Sequence, residues 1–252
     1  MADDFIESAT AVIDRLRSLD KRRVVFGSER HAYRFNPPLS PRQVEAFEAA
    51  HGMTLPTPYR RFVTELGNGG AGPFYGVPPL ELELPHLLRP FPYTQATTLP
   101  NDDEAEWEDS IPGAIMIAEY GCGIYFLLVV RGELAGQVWF DARYETGISP
   151  VTDDPTTPVT FDVWWLDVMR KHLDRFERVL AFMDAETDHE EIHRHLEPRV
   201  LQLEVDTTML SIMDRDPNAQ PRVYANKPWG QACGLVEDHY GPWLQDRRRT
   251  KR

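Results

Sequence analysis

Between Ser40 and Leu80 the chain spells out two short helices, a tight link between them and a glycine stop, and no other stretch restricts the fold as much. Ser40 is placed to cap a helix, Pro41 suits the first turn, and Gln43 stands where a capping box needs it. Val44, Phe47 and Glu48 follow, and Gly52 falls where a left-handed C-terminal residue is required. Leu55-Pro56 restarts the chain, with Thr57 predicted as a cap and Pro58 as the first residue of a second helix. Tyr59, Phe62, Val63 and Leu66 recur at helical spacing and make one apolar stripe. Gly67-Asn68-Gly69-Gly70 then ends that helix and admits positive φ angles that a side chain would resist. These residues specify local structure and are silent on function.

The same stretch carries three ordered patterns. They are Leu-Ser-Pro-x-x-Val-x-x-Phe-Glu from Leu39, Gly-x-x-Leu-Pro-x-x-Tyr-Arg-x-Phe from Gly52, and Gly-Asn-Gly-Gly-Ala-Gly-Pro-x-Tyr-Gly from Gly67. Together they resemble the SUKH superfamily of the cell-wall-assembly-regulator (Smi/Knr) type. The resemblance is close from Ser40 to Gly76 and looser to about Leu173. Its motif residues here are Pro56, Tyr59, Phe62, Gly67, Asn68, Gly69 and Gly70. It implies an α+β fold, with an antiparallel multi-stranded sheet packed with helices. For bacterial members it also implies an immunity role, in which a toxin, often a nuclease, is bound and silenced without catalysis. Fungal members imply a regulatory or scaffold module with no toxin partner.

The remaining chain fits such a fold. Asp3 to Leu19 is predicted helical, with Phe5, Ala9, Val12, Ile13, Leu16 and Leu19 on one face and acids at its positive end. Lys21-Arg22-Arg23 closes it. Val24-Val25-Phe26 and Ala32 to Phe35 are short apolar runs suited to a strand or a covering loop. The alternation of Leu80-Glu81-Leu82-Glu83-Leu84 predicts a half-buried strand. Arg89 to Pro112 reads as a long surface loop. Ala114 to Glu119, Ile124 to Val130 and Gln137 to Asp141 predict three strands in an antiparallel meander, with the wholly apolar second one central. The Gly121-Cys122-Gly123 turn and the Val138-Trp139-x-Asp141 strand also resemble the family. A reactive-thiol reading of Cys122 finds no His or Lys beside it in sequence. Asp141 to Pro158 reads as loop, and Thr160 caps a long helix whose Phe161, Trp164, Trp165, Val168, Met169, Leu173, Phe176, Val179 and Leu180 fall on one core-facing stripe. That helix closes a first domain at 1–184, and 185–252 is expected to be a small C-terminal extension with a basic tail from Arg247 to Arg252.

Charge narrows the partners. The net charge is −13, which repels a phosphate backbone and suits a basic protein such as a nuclease toxin. The densest acidic run is Asp102, Asp103, Glu104, Glu106, Glu108 and Asp109, interrupted by Trp107. An acid run is ordinarily just solvated, yet an aromatic amid acids also suits contact with a basic partner, and these seven residues are the candidate interface. His189-Glu190-Glu191-Ile192-His193 meets the zinc-hydrolase pattern, but its flanks are charged throughout and His195 stands too near to be a third ligand. A metal there is expected to be adventitious, and no cofactor is implied. With two cysteines, no secretory leader pattern and no apolar run near the ~20 residues of a membrane span, the expectation is a cytoplasmic protein without membrane or nucleic-acid partners, a monomer or weak dimer.

Overall fold

The computed structural model describes residues 4–185 except 22, 24, 99–109, 144–146 and 153–156, with backbone alone for 175 and 178–185. The first helix, α1, runs Phe5–Leu19. Asp4 caps it by accepting from the Ile6 amide, and the six predicted face residues are the six that are buried. A one-turn helix, α2 (Ser28–His31), lies between the two apolar runs read as a strand or covering loop.

α3 (Pro41–His51) begins with the predicted capping box: Ser40 accepts from the Gln43 amide while the Gln43 side chain accepts from Ser40, and Gly52 ends it at φ 58°. α4 spans Thr57–Arg61, with Pro56 rather than Thr57 in the cap position and no side-chain capping bond. It passes into a π-helical turn, Phe62–Leu66. That irregular end turns Phe62 and Val63 into the core together.

Four strands make one antiparallel sheet in the order β1-β2-β3-β4: Ala114–Gly121, Ile124–Val129, Val138–Ala142 and Gly147–Pro150. The architecture is α+β, as expected, and β2 is central. β4 falls within the predicted Asp141–Pro158 loop. Its sequence, Gly-Ile-Ser-Pro, has no alternation; pairing with β3, such as Asp141 opposite Ile148, imposes the extended conformation.

Both faces of the sheet are covered. Phe126, Leu128, Val138 and Phe140 meet the helices. Leu127, Val129 and Trp139 meet Phe91 and Ile111 on the other side. The predicted surface loop Arg89–Pro112 is therefore in part a lid over the sheet, with Phe91 edge-on to Trp139 at 5.0 Å between centroids.

The predicted strand at Leu80–Leu84 is absent, and a 3-10 turn, Pro85–Leu88, follows directly. Side chains satisfy its backbone instead of a neighbouring strand: Leu80 N donates to Asn68 Oδ1 and Leu84 N to His51 Nε2. Leu82 is left 48% exposed, which the alternation alone does not foresee.

α5 (Phe161–Ala185) packs along α1. Phe161, Trp164, Trp165, Met169 and Phe176 of its predicted stripe are buried. The division at 184/185 has only its first part in view, because residues 186–252 lie outside the described residues.

Candidate functional site

The motif residues are internal. Tyr59 and Phe62 stack at 6.4 Å and both meet Phe161 edge-on at 5.1 Å. Asn68 holds the Leu80 backbone from both sides: its Oδ1 accepts from Leu80 N at 2.7 Å and its Nδ2 donates to Leu80 O at 3.4 Å. Gly67 is extended at φ 170° rather than left-handed. It is required for space, since a Cβ would lie 2.3 Å from Asn36 O. Gly70 is left-handed (φ 98°) and just as crowded, 2.4 Å from Arg34 O. Reciprocal bonds between Gly70 and Val77, at 2.8 and 2.9 Å, close the glycine loop into a small ring.

The ring sets Phe74-Tyr75-Gly76 at one corner of the molecule. Phe74 lies inside, stacked on Phe126 at 5.1 Å. Tyr75 is half-buried beside Phe26 (4.9 Å), and Phe26 in turn touches Tyr120 at the end of β1 (5.4 Å). The Arg30 guanidinium sits 3.7 Å from the Tyr75 ring centroid, a cation–π pair at the surface. The turn Gly121-Cys122-Gly123 borders this group, with exposed Cys122 at φ 54°. Gly27 seals it from below, because a Cβ there would lie 2.1 Å from Phe74 O.

Buried polar chemistry underlies the corner. The Asp20 carboxylate accepts from Tyr33 OH at 2.6 Å, Ser28 Oγ at 3.2 Å and Val25 N at 3.2 Å, fixing the path into α2. Burial, reinforced by the Asp20 charge, pushes the Tyr33 phenol well above its ordinary range. His31 Nδ1 accepts from Tyr33 N at 3.0 Å. Burial holds the His31 ring down to a pKa of about 4 against a supporting bond from the Phe74 backbone, and Arg23 lowers it further. The ring is neutral at physiological pH.

Such a site offers contact, through aromatic edges and arginine. Among the described residues no three His, Cys, Asp or Glu side chains are grouped to hold a metal. No described helix is long and apolar enough to cross a membrane. The candidate contact residues Asp102, Asp103, Glu104, Glu106, Trp107, Glu108 and Asp109, and the His189-Glu190-His193 set, lie outside the described residues. Phe26, Arg30, Tyr75 and Tyr120 escape a linear reading because they come from three segments far apart in sequence. Only Tyr75 carried a signal, as part of the glycine-loop pattern.

Residues 38–157 match the family model for the SMI1 / KNR4 family (SUKH-1). No curated protein and no solved structure gives a match.

Proposed function

We propose that the chain is a non-enzymatic immunity protein that silences a basic, nuclease-type toxin by occluding it, because residues 38–157 match the family model for the SMI1 / KNR4 family (SUKH-1). The family match carries this reading, since it supports a protein-interaction or immunity-type role at family level. The net charge of −13 is the second support. A nuclease must attract phosphate and so presents cations, and a negatively charged binder is drawn to that surface and competes with its substrate. The contact residues in this proposal are Asp102, Asp103, Glu104, Glu106, Trp107, Glu108 and Asp109. The inhibitor works in the cytoplasm as a monomer or weak dimer, without cofactor, metal, membrane or nucleic acid.

The test is a search of the neighbouring genes for a basic nuclease toxin and an assay of its inhibition by this protein, with association rates followed against salt. Steering by charge predicts a rate that falls steeply as ionic strength rises. Replacing the six acids by alanine is expected to slow association by about tenfold or more. Tight binding that survives those replacements overturns the placement of the contact. A toxin left fully active beside saturating protein overturns the immunity reading and leaves a regulatory module.

A further inference from the structure

The corner around the glycine loop is opposite in charge to the molecule as a whole. Residues 21–34 hold Lys21, Arg22, Arg23, Arg30 and Arg34 against the single acid Glu29, a net charge of 5 − 1 = +4 in a chain whose total is −13. Lys21, Arg23, Arg30 and Arg34 are exposed. Beside Arg30 lie the half-buried rings of Phe26, Tyr75 and Tyr120, in contact with one another but not sunk into the core. Arginine and tyrosine of this kind carry most of the energy at protein interfaces.

Backbone strain gathers at the same place. Among the described residues, the non-glycine positions with positive φ are Arg23, Ala32, Tyr33, Phe74 and Cys122. All five lie in the segments that build this corner. Side chains resist that conformation, and such strain persists where the surroundings hold it for a purpose. Three of them, Arg23, Ala32 and Tyr33, lie outside the family patterns.

We propose that this corner is a docking surface for an acidic protein segment bearing one aromatic side chain. Carboxylates of the segment meet Arg23 and Arg30, and its ring packs on the exposed edges of Phe26, Tyr75 and Tyr120. A nucleic acid suits the corner less well. The Tyr75 face on which a base would stack is covered by Arg30. The corner calls for a partner opposite in charge to the toxin proposed above.

Fluorescence anisotropy with the full chain tests this. The probe is a labelled synthetic peptide of glutamates around one tryptophan. Its comparisons are a version with alanine for the tryptophan, a version with lysines for the glutamates, and a single-stranded oligonucleotide. The tryptophan–glutamate peptide is expected to bind, and Arg30→Glu or loss of the tryptophan to weaken it by about tenfold. Arg30 is exposed, so its variant should fold, which circular dichroism checks. Arg42→Glu, an exposed arginine on α3, makes the same charge change elsewhere and should alter binding by no more than about twofold. Absence of binding, an equal loss in the Arg42→Glu variant, equal binding of the tryptophan-free or lysine peptide, or tighter binding of the oligonucleotide each overturns the proposal.

Discussion

His31 ties stability to pH through one ring. It is a base whose folded pKa, about 4, lies below its ordinary value of 6.5, because burial disfavours its charged form. Between those values the unfolded chain takes up a proton that the folded chain refuses. The fold is therefore unaffected by this group above pH 6.5, and loses stability as pH falls from there towards 4. The full effect is at most on the order of 3 kcal/mol. Asp141, whose carboxyl is raised by burial despite Arg143, works in the opposite sense and blunts the slope. Urea midpoints measured from pH 7 to 4 should fall in the parent, and fall less in His31→Gln. Tyr59 makes a contrasting case. Its hydroxyl is buried with no hydrogen-bond partner among the described residues. Tyr59→Phe keeps the ring stacking and removes the stranded group, so stability should hold or rise by up to about 1 kcal/mol. A thermal melt that drops would show the hydroxyl to be engaged.

At the level of elements, side chains that bond backbone decide where structure starts and stops. Asn68 alone satisfies both polar groups of Leu80. Asn68→Ala should cost about 1–3 kcal/mol, measured by chemical denaturation. Ser40→Ala removes half of a capping box and should cost about 0.5–2 kcal/mol. The capping box, the α1 face and the three apolar strands were legible because each is written in adjacent residues. Leu80–Leu84 misled because its alternation says which side chains could be buried but supplies no partner strand. β4 was invisible because β3, not its own four residues, makes it a strand. The aromatic corner was hidden for a related reason. Phe26, Tyr75 and Tyr120 come from three separate segments, and only the ring closed by Gly70 and Val77 brings them together.

Over the whole molecule, the sheet divides the apolar residues into two cores. Phe62 belongs to the helix-side core and Phe91 to the other. Each change to alanine should cost about 3–5 kcal/mol, and with no shared partners the two costs should add to within about 0.5 kcal/mol. The covers differ in kind. On one side α1 and α5 supply continuous helices. On the other the segment bearing Phe91 is irregular, tied to the sheet by Phe91 N to Arg131 O and by the exchange between Thr97 and Ile148. Irregular backbone of this kind opens more readily than continuous helices, and amide exchange should then be faster under this strap than under α5. What it uncovers when it lifts is Leu127, Val129 and Trp139, a greasy plank flanked by hydrogen-bonded strands. A protease cutting that strap would leave a molecule that still looks folded by helix content yet sticks to its own kind, so shelf life in solution is governed by the weaker of the two lids.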